Sequence, residues 1–299
     1  MMRKALGLFF FANISVGIVS VALTIETLLL LHIPVSVTPM MLVIFFATLF
    51  EYSFHQILPI NFSLRTDLPS AEPRTGRQTI GLCLKQMIGH KIFITVLILS
   101  VIGLLIFGLM LPARVMPLLF LSGLITLAYS LPLLKTQKKF ITLKELPAVK
   151  TFISSLLWAL VTVVLPLVYR ESEIFDMKVM LLFAQRFFFI FSVCMIFDIR
   201  DMERDKNSGV KTLAVIMGER QALYSANLAL FCFVLLVVVQ GGVCADCIIS
   251  AVPMLLSAAI AFYFINSKKI KAMPYYYKGF IDGLPVLQML LLCIAIFLS

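Results

Sequence analysis

Residues 178–199 read KVMLLFAQRFFFIFSVCMIFDI, and residues 200–213 continue RDMERDKNSGVKTL. The first run is long enough to cross a hydrocarbon core of about 30 Å at about 1.5 Å per residue. It shows no strict alternation of apolar and polar positions, so it does not read as a membrane β-strand. A helix is the remaining solution, because it satisfies its own backbone polar groups inside lipid.

Similar runs recur in both directions from this one. The apolar stretches lie at roughly 5–32, 36–58, 91–112, 116–134, 147–169, 178–199, 221–241, 246–267 and 276–298, with ends uncertain by about three residues. Hydrophobic residues form 61% of the chain and charged residues 13%, whereas a soluble domain carries about 25% charge. The expectation is an all-α, polytopic membrane bundle of about nine spans, forming one domain over 1–299. The first apolar run is too long for the roughly 7–15-residue core of a cleavable signal peptide.

Charge sets the expected orientation. With the N-terminus in the cytoplasm, the inside segments hold 21 of the 25 Lys and Arg residues. The outside segments hold Arg114, Arg170 and Lys178, and Arg186 lies within a span. Cytoplasmic enrichment of this kind predicts an integral protein of the cytoplasmic membrane with its C-terminus outside. Orientation and anionic lipid account for the net charge of +10, and nothing points to nucleic acid. The six cysteines read mainly as small apolar residues. Cys244 and Cys247 form a lone C-x-x-C pair in an outside loop, a weak redox or disulfide signal.

The outside loops are short, and the polar residues gather on the inside face. A channel or transporter would thread them through the bilayer. Their placement suits a site that opens to the cytoplasm above an apolar floor. Its centre is Asp198, Asp201 and Asp205, which share one face if the sixth helix continues through them. Two readings compete. Arg200, Arg204 and Lys206 could neutralise a solvated helix end. Alternatively the acids hold Mg²⁺, which takes one or two carboxylates and completes its octahedron with water and phosphate oxygens. The helix dipole disfavours carboxylates at a C-terminus, which argues for a compensating cation.

The segment from Asp198 to Leu213, ending D-x-x-x-D-x-x-x-G-x-K-T-L, resembles the second aspartate-rich motif of UbiA-type intramembrane prenyltransferases. The resemblance maps the D-x-x-x-D pair onto Asp201 and Asp205, and the basic residue after the glycine onto Lys211. Tyr129-x-x-Pro132 followed by lysines is similar to the family's pattern after helix 4. The resemblance implies a Mg²⁺-dependent transferase that moves a polyprenyl group from a prenyl diphosphate to an aromatic or similar lipophilic acceptor. Asp198, Asp201 and Asp205 would be the catalytic metal ligands. Lys211, Lys139 and Arg74 would contact the diphosphate.

The family's first motif, N-D-x-x-D-x-x-x-D, is not matched. Glu51, Tyr52, His55 and Pro59 stand at its four marked positions. Three readings remain open. Glu51 and His55 could form a modified metal site. One Mg²⁺ could act with the cations of the Arg65, Arg74 and Arg77 region. Or the protein could bind a prenyl lipid or quinone without reacting it. Glu51 and His55 could also be a structural hydrogen-bonded pair. Together with Tyr129 and Arg186 they are the candidates for an acceptor pocket or a modified first site. Arg186, about 18 Å deeper than Asp198 along the same helix, should meet an acid, carbonyls or a ligand. Asp282 beside Gly283 has a similar status.

Overall fold

The computed structural model describes residues 12–66, 76–131, 134–135, 140–141, 149–207, 209–243 and 248–298. Side chains are described for these except 55–66, 76–90, 130, 134–135, 140–141, 243 and 248. His55, Lys139, Arg74, Cys244 and Cys247 therefore lie outside the described side chains.

Nine long helices run through the described residues. They are α1 (Ile14–Leu30), α2 (Pro39–Thr66), α3 (Gly76–Gly108), α4 (Met116–Ser130), α5 (Val149–Arg170), α6 (Met177–Asn207), α7 (Glu219–Val243), α8 (Ile248–Asn266) and α9 (Tyr276–Leu298). Six contain a segment long and apolar enough to cross a membrane, and the apolar parts of α1, α2 and α4 are shorter. The chain is thus an all-helical membrane bundle. Its only sheet among the described residues is a two-residue antiparallel pair, Leu134–Lys135 with Phe140–Ile141.

Three helices run past their apolar cores. α2 continues to Thr66, α3 begins at Gly76 rather than near 91, and α6 continues to Asn207. Hydropathy marks only the part of a helix that lies in lipid, so polar extensions read as loop. At 31 residues, α6 is about 46 Å long. It carries Met177 to one end of the bundle and the acidic segment to the other.

The helix ends follow local chemistry. Pro39 opens α2, where its missing N–H has no helical acceptor to lose. Thr38 accepts a hydrogen bond from the Met41 amide at 3.4 Å. Glu171 ends α5 in the left-handed region, φ 59°, and its amide bonds back into the last turn. Within the helices, Ser20, Thr24, Thr48 and Ser155 donate to carbonyls three or four residues back. Hydroxyls that must lie in lipid are satisfied in this way.

Helix α1 packs against α2, α9 and the middle of α5. The neighbours α9–α8, α8–α7, α7–α6 and α6–α5 close the other side. Two glycines set close approaches. A Cβ on Gly17 of α1 would lie 2.7 Å from the Phe45 ring of α2, and one on Gly103 of α3 would lie 2.5 Å from Phe46. Leu23, Phe189, Met195, Phe233 and Ile281 are buried in the main core. Leu105, Phe120, Phe231 and Phe262 are exposed and face outward, as lipid-contacting residues do.

The end opposite the acidic segment is pinned. Arg114, before α4, donates to the Val168 and Tyr169 carbonyls at 3.2 and 3.0 Å and pairs with Glu171. Arg170 donates to the Pro34 carbonyl and to Ser36. Arg114 and Arg170, two of the three cations that the charge pattern places outside, thus have structural partners.

Candidate active site

Helix α6 does continue through the acidic segment, and this decides where the carboxylates point. Asp198 and Asp205 turn inward and are buried. They converge on one cation, Lys150 in the first turn of α5. Its Nζ lies 2.8 Å from Asp198 Oδ1 and 3.1 Å from Asp205 Oδ2. The other Asp198 oxygen accepts a short hydrogen bond from the Thr151 hydroxyl. Asp201 departs from the expectation that all three acids point together. Arg200 donates two hydrogen bonds to it at 2.8 and 2.9 Å, and Arg204 lies 2.9 Å from Oδ2. A one-turn repulsion between Asp201 and Asp205 is relieved by giving each its own cation.

Arg200 is itself held by aromatic faces. Its guanidinium lies 4.8 Å from the Phe197 ring centre and 5.3 Å from that of Tyr277 on α9. Near the acids five helices bring further polar side chains together. Tyr129 at the end of α4 is buried, hydrogen-bonds Ser154 of α5, and lies within electrostatic reach of Lys150, Glu51 and Asp198. Tyr52 of α2 lies within reach of Glu51, Asp282 of α9, Cys194 of α6 and Tyr129. Glu51 and Tyr129 are therefore brought into one neighbourhood, which Tyr129 links to Asp198. So is Asp282, which also lies within reach of Arg200 and Lys278.

Lys211 lies exposed in the turn after α6, beside Gly209 at φ 75°. The Val210 amide closes that turn on the Asp205 carbonyl at 2.8 Å. Thr212 then caps a short helix, Leu213–Met217. The G-x-K-T sequence thus forms the turn that leaves α6 beside Asp205. Arg186 does not join the site. It meets Glu26 of α1 at 3.0 Å and Thr27 at 3.3 Å, with Glu26 and Arg186 1% and 2% exposed.

Sequence reasoning missed two partners. Lys150 read as one basic residue among many in a lysine-rich loop, and Glu26 was one acid in an otherwise apolar span. An unexplained intramembrane arginine was the only signal for Glu26.

The inward donor set suits a hard divalent cation, since it is oxygen-only and already holds a tethered ammonium as a stand-in. Among the described residues, no three His, Cys, Asp or Glu side chains gather closely enough to cage a metal. Protein alone would supply few ligands, leaving the others to water and phosphate oxygens, as Mg²⁺ prefers.

Paired acids at one end of a membrane helix thus gather with a lysine and tyrosines from neighbouring helices of the bundle. The chain belongs to the UbiA prenyltransferase family, whose model matches residues 87–281. The match begins beyond the Glu51–Pro59 stretch. No curated protein matches the chain. Among solved structures, a UbiA homolog from Aeropyrum pernix K1 superposes with a TM-score of 0.65 at 13% identity, over 95% of this chain and 98% of that one. A UbiA homolog from Archaeoglobus fulgidus bound to GPP and Mg²⁺ gives 0.64 at 13%, over 97% and 99%. A digeranylgeranylglyceryl phosphate synthase gives 0.55 at 16%, over 99% and 98%.

Proposed function

We propose that this protein is a Mg²⁺-dependent prenyltransferase that moves a polyprenyl group from its diphosphate to an aromatic or similarly nucleophilic lipophilic acceptor. The observation that carries the reading is the convergence of Asp198 and Asp205 on a cation at one end of a membrane-buried bundle. In the proposed orientation that end faces the cytoplasm, where a soluble diphosphate is available. The allylic carbon–oxygen bond of the donor breaks, and its electron pair leaves with the diphosphate. The acceptor then forms a bond to that carbon and releases a proton.

Mg²⁺, when bound, would neutralise charge on the departing diphosphate. Asp198 and Asp205 would hold it, with Asp201 one turn away joining them once its arginines turn toward phosphate oxygens. Lys211 in the turn after α6, with Lys139 and Arg74, would donate to those oxygens. The Glu51, Tyr52 and Tyr129 wall would border the acceptor. The apolar interior would keep water from the allylic cation.

Prenyl transfer in membranes tests this reading. Asp205→Asn and Asp201→Asn should each lower it by about 100-fold or more while the variants still fold. Unchanged activity in both would remove the mechanism. A second reading, a non-catalytic binder of a prenyl lipid or quinone, draws on one observation: Glu51 is the only carboxylate in residues 51–59. Titration of the detergent-purified chain with geranylgeranyl thiodiphosphate separates the two. Binding that requires Mg²⁺ supports the enzyme, and metal-independent binding supports the binder.

A further inference from the structure

We infer that Lys150 is a displaceable internal counter-ion that keeps Asp198 and Asp205 closed to a divalent cation until a diphosphate draws its ammonium away. The inference rests on the prenyl-diphosphate reading and adds an order of binding to it. It starts from occupancy. One Asp198 oxygen is engaged by Lys150 at 2.8 Å and the other by Thr151. Asp205 Oδ2 is engaged by the same ammonium at 3.1 Å. A cation approaching these oxygens meets a positive charge already seated between them.

Charge balance gives the direction of the coupling. Two carboxylates and one ammonium leave a net charge of −1. Adding a divalent ion beside the ammonium would place like charges together in a poorly solvated site, where their repulsion is weakly screened. A diphosphate reverses this, because it offers the ammonium a new partner and supplies oxygen ligands to the metal. Lysine suits such a role. Its charge is compact, its four-carbon stem is flexible, and it binds phosphate as a point charge.

The side chain is also placed to move. It is 22% exposed, against 3% and 10% for the Asp198 and Asp205 side chains. The acids are fixed on a long packed helix, whereas the ammonium stands at the mouth on the first turn of α5. Arg200 and Arg204 hold Asp201 in a parallel arrangement. All three aspartates of the segment are therefore ion-paired from within the chain.

Mn²⁺ binding to the purified full chain, read by electron paramagnetic resonance, tests the inference without any turnover. Wild type should bind Mn²⁺ weakly alone and about tenfold or more tightly with geranylgeranyl thiodiphosphate. Lys150→Met should bind Mn²⁺ alone about tenfold more tightly than wild type, while Lys150→Arg stays at the wild-type level. Equal affinities for wild type and Lys150→Met would overturn the inference. So would a Lys150→Arg chain that behaves like Lys150→Met. If Lys150→Met does not fold, the wild-type arm decides alone. Mn²⁺ affinity that is unchanged by bound analogue then overturns the inference. An analogue that never binds, together with the gain in Lys150→Met, would retire the prenyl-diphosphate reading and leave the counter-ion in place.

Discussion

Arg186 and Glu26 meet in the middle of the bundle, 160 positions apart in the chain. The pair is made of groups that would each be costly alone in that setting. Arg186 also reaches Thr27 Oγ1, yet Arg186 Nη1 and Glu26 Oε2 have no hydrogen-bond partner among the described residues. Such a pair contributes little net stability relative to a well-packed apolar replacement, but removing one member strands the other. Arg186→Met should therefore destabilise the purified protein by about 3–5 kcal/mol. The double variant Glu26→Leu/Arg186→Met should recover most of that loss. Thermal unfolding in detergent measures both. Equal stability of the single and double variants would show that Glu26 is not stranded. At this scale the sequence announced half of the arrangement. An arginine in a span demands a partner, but nothing local says which helix supplies it. Lys150 is subtler, because its pattern is that of any membrane-flanking lysine.

Between elements, one proline decides how α5 docks on α1. Pro166 has no N–H, so the Thr162 carbonyl, four residues earlier, loses its usual helical donor. The backbone widens into a π turn over Leu160–Val164. The freed carbonyl accepts the Thr27 hydroxyl of α1 at 2.8 Å. Irregular backbone in lipid is tolerated when a neighbouring helix satisfies it. Thr27→Val should cost about 1–3 kcal/mol, because it leaves that carbonyl unpaired. In a Pro166→Ala background the penalty should shrink, since the new amide at 166 can bond Thr162. A double-mutant cycle in denaturant reads the coupling. Additive effects would sink this account of the π turn. The proline is visible in the sequence, whereas the identity of the rescuing hydroxyl depends on which helix lies alongside.

For the whole molecule, the distribution of charge matches the two differently built ends. One end is sealed by Arg114 on the last-turn carbonyls of α5 and Glu171, and by Arg170 on Pro34 and Ser36. The other carries the acids, Lys150 and the turn after α6. The lysine and arginine excess on the acidic side supports the proposed cytoplasmic placement of that end. In a chain with its native cysteines replaced, Glu173→Cys should react with a membrane-impermeant maleimide in intact cells. Asn207→Cys should react only after permeabilisation. The reverse pattern would invert the topology and place the site on the wrong side for a cytoplasmic diphosphate. Both residues are exposed in helix-flanking positions, so labelling reports sidedness rather than burial.

Hydropathy alone determined the number and order of the apolar helices, because a bilayer imposes a length and forbids open backbone. It also placed the acidic segment on one helix, because i, i+3 and i+7 spacing is a property of the helix itself. Only tertiary packing decided that Asp198 and Asp205 share Lys150 of α5, whereas the arginines that hold Asp201 are its own neighbours on α6. Only packing, too, brought Glu51, Tyr52, Tyr129 and Asp282 into one wall and sent Arg186 to Glu26. Those pairings join residues on different helices. Their partners follow from helix rotation and neighbour identity, which no local run of residues encodes.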